Sequence, residues 1–465
     1  MGRYAVPEGR IVKGWTVRLM PTPEQVARFK RDDGARRFAC NWAVEEIRQW
    51  FSSGSEAGRY DSAVWSHYEL RKRWNRVKPE VAPWWAECSK EAYSNGIADA
   101  VNALKNWHAS KTGSRQRPRM GFPQFRKKGK DPVRCTYTTG ALRVEDYRHV
   151  VLPGVGRVRS AENIHLILGH IRRGTCRVLS AAVREKGGHW SVSLRLEITE
   201  PRQPGPRTDT VGVDAGIGRN LLVIMRPDGT VVRKVANPKA LRSSITDLRR
   251  AARALSRKHE GSRRWQQAKR KLTRVHMRAT AIRTDALHKA TTELAKTHGR
   301  IVVEALRPRA HARGVRMHRK AWADVAFGEF RRQLTYKCQW YGSELWIANR
   351  WFPSSKTCSS CGQVNAMLTL ADRAWTCPGC GTGHDRDENA GTNLARLPAS
   401  QAEAQSGGKT ASVRLATVKR VKHPGRMAAK CREALSRDGL KPVHTLGPEA
   451  REAALLPPGG GTMGG

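Results

Sequence analysis

Apolar and polar residues alternate along I-V-K-G-W-T-V-R-L-M at residues 11–20, the period of a half-buried strand. The period changes at P-T-P-E-Q, where Thr22 is placed to cap a helix and Pro23 to open it. From there to about residue 115 the pattern is helical. Ala27, Phe29, Ala35, Phe38, Trp42, Ala43 and Ile47 recur at three- and four-residue steps, and Ala92, Ile97, Ala100, Leu104 and Trp107 mark a second helix beginning at Ser89. Trp42, Trp50, Trp65, Trp74, Trp84, Trp85 and Trp107 crowd into this block and read mostly as the core of a helix bundle. Residues 133–200 read as short strands: V-R-C-T-Y-T, H-V-V-L-P, H-L-I-L-G-H, T-C-R-V-L-S-A-A-V-R-E and W-S-V-S-L-R-L-E-I. With the first strand they predict a small β-barrel into which the helical block is inserted.

P-R-Q-P-G-P-R is a linker by composition. Beyond it the pattern predicts a three-stranded meander with Asp214 at the end of its first strand. Two long cationic helices cover residues 238–298, and the buried strand I-V-V-E-A-L ends on Glu304. A helix over 321–341 and a strand E-L-W-I-A-N complete an order of elements that matches an RNase H-like fold. From Pro398 the chain is rich in Ala, Gly, Pro and cations, and a disordered tail with no strand or helix is expected.

Charge narrows the partners. Lys and Arg number 86 against 40 acidic residues, a formal net charge of +46. A polyanion explains this, because neutralising phosphates releases their condensed counterions. No apolar run approaches a membrane span, and the start of the chain lacks the apolar core of a signal peptide. Between Ser110 and Lys130 the cations interleave with Phe122 and Phe125, which makes Arg126, Lys127 and Lys128 candidate phosphate contacts. Arg249, Arg250, Arg253, Lys269 and Lys271 on the cationic helices, and Lys356 further on, join them as candidate nucleic-acid contacts.

Two kinds of ligand set follow. Cys358, Cys361, Cys377 and Cys380 form two C-x-x-C knuckles, the pattern of a structural Cys₄ site for one Zn²⁺. Free thiols of this kind suit a reducing compartment. Immediately after the last cysteine stands H-D-R-D-E-N-A, in which one of Asp385 and Asp387 is placed to cap a helix. In the RNase H-like order, Asp214, Glu304 and Asp387 converge. Three carboxylates that close repel unless divalent cations neutralise them, and hard Mg²⁺ prefers oxygen ligands. Two such ions about 4 Å apart support phosphodiester hydrolysis without a His or Ser nucleophile. The three acids are therefore both the candidate catalytic residues and the candidate Mg²⁺ ligands.

V-G-V-D-A-G, I-V-V-E-A-L, L-T-Y-K, R-W-F-P-S-S-K-T-C-S-S-C-G and H-D-R-D-E-N-A-G-T-N-L resemble the TnpB proteins of bacterial insertion sequences, relatives of type V CRISPR effectors. R-L-M-P-T-P-E-Q, N-G-I-A-D-A-V-N-A-L-K-N-W and G-F-P-Q-F-R-K-K extend the likeness through the N-terminal half. The resemblance implies a multidomain α+β RNA-guided DNA endonuclease. Residues 1–20 and 116–203 would form a wedge β-barrel, and 21–115 a helical recognition domain. Residues 204–356 and 381–397 would form a RuvC-like nuclease domain, 357–380 a zinc ribbon that engages target nucleic acid, and 398–465 a disordered basic tail. It also implies a guide RNA from the transposon end, double-stranded target DNA, a monomer, and the bacterial cytoplasm. The chain departs from the family in having Ala305 where a second acid is often found, which removes no ligand. A nuclease-inactive RNA-guided repressor, a DDE-type transposase and a compact type V CRISPR effector remain alternatives.

Overall fold

The computed structural model describes residues 6–52, 62–115, 119–138, 142–199, 207–305, 324–349, 351–369, 371–397 and 402–406. They fall into two compact units that part between Thr199 and Glu200.

The first unit joins a helical block to an antiparallel sheet. β1 (Arg10–Met20) leads into α1 (Pro23–Ser52), α2 (His67–Val81) and α3 (Lys90–Lys111). Thr22 Oγ1 accepts from the Gln25 amide at 3.3 Å while Gln25 Oε1 accepts from the Thr22 amide at 3.0 Å, a reciprocal capping box. Ser89 caps α3 one way only, its Oγ accepting from the Glu91 amide at 3.3 Å. Trp74 and Trp107 are fully buried in the bundle, and Trp42, Trp50, Trp65, Trp84 and Trp85 pack against it. Gly96 lets α3 press onto α1, since a Cβ there would collide with the Arg36 carbonyl. The chain then forms β2 (Arg134–Tyr137), β3 (Arg143–Val144), β4 (His149–Leu152), β5 (Gly156–Ser160), α4 (His165–Arg172), β6 (Cys176–Lys186) and β7 (His189–Thr199). These strands make a seven-stranded sheet in the order β2-β6-β7-β1-β5-β4-β3. Its ladders are antiparallel throughout, with Arg10↔Thr199 and Leu19↔Trp190 fixing the β1–β7 register. Because β1 and β2 share one sheet, α1–α3 interrupt it in sequence.

H-L-I-L-G-H, expected as a strand, is instead α4. Asn163 Oδ1 accepts from the His165 amide at 2.9 Å and holds the first turn. Ile164, Ile167 and Leu168 then fall on one buried face at helical spacing, and Gly174 at φ 70° lets the chain leave. A run of only six residues carries both periods, and packing decides between them.

The second unit is a mixed sheet with helices on both faces. β8 (Thr210–Ala215), β9 (Asn220–Met225) and β10 (Val231–Ala236) form the meander. α5 (Ala240–Ser243), α6 (Ile245–Ser256) and α7 (Arg263–Thr297) precede β11 (Arg300–Val303). α8 (Phe327–Tyr341) and β12 (Glu344–Ala348) follow, then the small hairpin β13 (Ala374–Thr376) and β14 (Gly383–Asp385), α9 (Arg386–Ala395) and β15 (Ala402–Ser406). The six-stranded order is β10-β9-β8-β11-β12-β15. β11 runs parallel to β8 and to β12. Side chains alternate across β11. Ile301 and Val303 join Leu287, Leu294, Phe330 and Leu334 of α7 and α8, whereas Val302 packs with Ala348, Leu394 and Leu397 on the α9 side.

β15 corrects the expectation for the tail. Ala402–Ser406 pairs antiparallel with β12, so the ordered sheet extends past Pro398. A β-ladder needs only exposed N–H and C=O groups on an edge strand, and β12 supplies them. The remainder of the expected tail, 407–465, lies outside the described residues.

Candidate active site and metal centre

Asp214 and Glu304 are brought together by sheet register. Val213 pairs with Val303 in the parallel β8–β11 ladder, so the next residue on each strand projects from the same end. Asp387 enters from the first turn of α9. That helix lies against β8 because both backbones are stripped of side chain at the crossing. A Cβ on Gly212 would collide with the Gly391 carbonyl, and one on Gly391 would strike Met225. Gly216 also faces the acid, since a Cβ there would lie 3.8 Å from Asp387 Oδ2.

Burial pushes the Asp214 carboxyl well above the usual carboxylate range, and the negative charges of Glu304 and Asp387 push it further. The Arg386 guanidinium opposes that rise. Arg373 Nη1 and Arg386 Nη2 approach Asp387 Oδ1 at 3.7 and 3.6 Å. An all-carboxylate donor set is the kind that hard divalent cations such as Mg²⁺ prefer. Asp385 does other work. Its Oδ1 accepts from the amides of Asp387 and Glu388 at 3.0 and 3.1 Å, capping α9 and leaving Asp387 free to face inward.

Three residues that sequence reading passed over tie this site together. Ser354 is buried, and its hydroxyl donates to Glu304 Oε1. Asn393 Nδ2 donates to the carbonyls of Ser354 at 2.8 Å and Thr357 at 2.7 Å. Asn389 Nδ2 also reaches the Thr357 carbonyl at 2.7 Å, while its Oδ1 accepts from the Ser359 amide at 2.9 Å. The helix that carries Asp387 thus grips the loop that orients Glu304. For the two asparagines a signal was present in D-E-N-A-G-T-N, where Asn389 and Asn393 stand four residues apart on one face of a helix.

The four cysteines close on one another, with every ligand atom within 4.8 Å of the rest. Among the described residues this is the one His, Cys, Asp and Glu group drawn to ligand spacing. Cys358 and Cys380 sulfurs are 3.7 Å apart, and those of Cys361 and Cys377 are 3.6 Å apart. A tetrahedron with Zn–S bonds of about 2.3 Å has edges of roughly 3.8 Å, so the cage suits that ion. The knuckles are built alike. Gly362 N donates to the Cys358 carbonyl and Gly381 N to the Cys377 carbonyl, both at 2.9 Å. Both glycines hold positive φ, 81° and 72°, which a side chain would strain. β14 runs straight from the second knuckle into Asp385.

The candidate nucleic-acid contacts separate into two groups. Lys127, Lys128, Arg249, Arg250, Arg253, Lys269 and Lys271 are exposed, and Lys269 also lies 4.6 Å from the Trp265 ring centre. Arg126 is half-buried and donates to Asp99 Oδ2 at 3.1 Å. Lys356 is half-buried and donates to the Ala366 carbonyl at 3.0 Å, bracing the ribbon loop.

A family described as "Probable transposase" (OrfB_IS605) matches residues 193–313. One described as "Cas12f1-like, TNB domain" matches 327–394. A third, described as "Helix-turn-helix domain", matches 12–56, where the structure has β1 and the single helix α1. A Mycobacterium tuberculosis protein named "Putative RNA-guided DNA endonuclease Rv2885c" is 44% identical over 418 residues, covering 85% of this chain and 88% of its own. A Streptomyces pristinaespiralis protein of the same description is 33% identical, with coverage of 83% and 89%. InsQ of Escherichia coli, named likewise, is 26% identical with coverage of 82% and 91%. Among solved structures, a Cas12f1–sgRNA–target DNA complex aligns over 83% of this chain and 99% of its own at 13% identity and a TM-score of 0.48. With the Mycobacterium tuberculosis relative 44% identical over 85% of this chain and 88% of its own, the chain belongs to the TnpB family.

Proposed function

We propose that the protein is an RNA-guided DNA endonuclease that hydrolyses phosphodiester bonds of target DNA at Asp214, Glu304 and Asp387. The observation that carries the reading is geometric: Asp214 and Glu304 leave adjacent parallel strands at the same end, and Asp387 joins them from the first turn of α9. Mg²⁺ bound there would supply a water of lowered pKa and neutralise charge on the leaving oxygen. The chain's own residues do the positioning. Asp214 and Glu304 present oxygens from adjacent strand ends, Ser354 orients Glu304, and Asp385 caps α9 so that Asp387 completes the set. Arg373 and Arg386 beside Asp387 are placed to meet a phosphate.

In this reading the second unit is an RNase H-like, RuvC-type nuclease interrupted by the zinc ribbon at 357–380. The seven-stranded sheet is the wedge and α1–α3 the recognition domain, together holding guide RNA and the guide–target duplex. The guide comes from the transposon end, and the protein acts as a monomer in the bacterial cytoplasm. No helix among the described residues is long and apolar enough to cross a membrane. The similarity to proteins named RNA-guided DNA endonucleases supports the substrate class.

The test is expression of the protein with its flanking locus, sequencing of the RNA that co-purifies, and incubation of the complex with DNA matching that RNA. Cleavage that needs Mg²⁺ and stops with EDTA is expected. Co-purification of a defined RNA together with binding but no cutting would instead favour an RNA-guided repressor.

A further inference from the structure

Trp351 is out of place by the standards of this molecule. Its relative exposure is 78%, and the next most exposed described tryptophan, Trp15, reaches 36%. Tryptophan buries more apolar area than any other residue when it is covered, so leaving it in water forfeits a large hydrophobic gain. Its backbone is not loose. The Trp351 amide donates to Asn349 Oδ1 at 3.1 Å, and the next amide, of Phe352, donates to the Asn349 carbonyl at 3.0 Å. Phe352 then packs against the cluster of Val302, Ala348, Leu394 and Leu397. The turn therefore sends one ring inward and the other out.

The ring is also tethered close to the acids. Ser354, three residues on, donates to Glu304. Three residues span at most about 11 Å, so the Trp351 backbone lies within that distance of the Ser354 backbone. An exposed aromatic tethered close to a nuclease site is able to hold a single strand, because every base offers a face for stacking whatever its identity. A paired base is covered on both faces by its neighbours and cannot use such a ring. The net charge of +46 favours a polyanion over an apolar protein as the molecule that covers it.

We infer that Trp351 is a stacking platform for one unpaired base of the DNA strand next to the bond being cut. It acts by holding the strand in register with Asp214, Glu304 and Asp387. This rests on the nuclease reading above and adds a base-binding subsite to it. The subsite is indifferent to sequence and sensitive to whether a base is present.

Single-turnover cleavage by the RNA-loaded protein tests it. The targets are matched duplexes in which an abasic residue is walked one position at a time across the cut region. Loss of one stacked base costs roughly thirtyfold, the middle of the range for base–aromatic stacking. Trp351→Ala should slow cutting of the intact target about that much, whereas Trp351→Phe should stay within about threefold. One abasic position should slow the wild type by a similar factor and add little in Trp351→Ala. Because the ring is exposed, both variants should melt with the wild type. A Trp351→Ala protein that cuts at wild-type rate overturns the inference. So does one slowed by the same factor on every abasic target, which would make the ring a prop for Glu304 instead. Failure of the wild type to cut any guided DNA would sink the nuclease reading. Stacking is read separately, with 2-aminopurine at the sensitive position of a bound target: quenching by wild type and not by Trp351→Ala supports the subsite, and equal emission from both removes it.

Discussion

The cysteine cage and the carboxylate cluster proposed as the active site are assembled in opposite ways. Four thiols come from two short knuckles that each fold on their own hydrogen bonds and a left-handed glycine. Three carboxylates come from a strand, a second strand and a helix that meet only when the sheet is registered and α9 is seated on Gly212. The cage is local and its geometry is close to its metal's. The acids are long-range, repel one another, and depend on neighbours such as Ser354 and Asn393 to point correctly. Fold stability therefore places the acids, while metal binding places the cage.

The largest expected effect falls on the acids. Asp214→Ala, Glu304→Ala and Asp387→Ala should each lower cleavage by on the order of a thousandfold while RNA binding stays near wild type, since a ligand is lost and no cationic surface is touched. Asp385→Ala is the contrast. It loses only a cap, which costs about 1 kcal/mol, and should be far milder. Plasmid cleavage with matched guide decides, and an acid variant at wild-type rate would remove that residue from the cluster.

Next comes the cage. Cys377→Ser should lose bound zinc and most cleavage together, although no thiol takes part in the reaction. The reason is that β14 carries the chain from the knuckle to Asp385 and Asp387. Metal content by atomic spectroscopy is measured beside cleavage; a zinc-free protein that still cuts normally would show the two centres to be mechanically independent.

Asn393→Ala probes the link between them. It frees the Ser354 and Thr357 carbonyls that the helix grips, so Glu304 loses its fixed aim. Cleavage should fall roughly tenfold with zinc content unchanged. Zinc loss in this variant would instead make the clamp part of the ribbon.

A smaller effect is on stability. The Asp214 carboxyl is raised in the folded protein, so the fold holds its proton more tightly than the unfolded chain does. Stability is then lost as pH rises from the usual carboxylate range, about 4, toward the raised native value. Without divalent ions, Asp214→Asn should melt higher than wild type, by a margin that widens from about pH 4 to neutrality. A margin that stays flat with pH would show that Asp214 is not strained by its neighbours.

The smallest effect is expected from the tail. Truncation after Ser406 should leave the melting temperature unchanged, whereas truncation after Leu397 removes β15 from the β12 edge and should lower it. Equal melting of both proteins would make β15 dispensable.

Spacing alone was enough for the cage, because two C-x-x-C knuckles are complete within a short stretch of chain. It was also enough for Thr22 as a cap, for a helix starting at Ser89 and for the strand-end positions of Asp214 and Glu304, since alternation and capping are read over a few residues. It was not enough for α4, where six residues fit either period and only burial of Ile164, Ile167 and Leu168 chose the helix. Nor could it reveal β15, whose partner strand lies far back in the chain. Arg126 and Lys356 look like their exposed neighbours in sequence, and only the packed protein turns one to Asp99 and the other to Ala366. The clamp of Ser354, Asn389 and Asn393 was equally hidden. Its hydrogen bonds join residues from different elements, and such contacts exist only once the chain has closed around them.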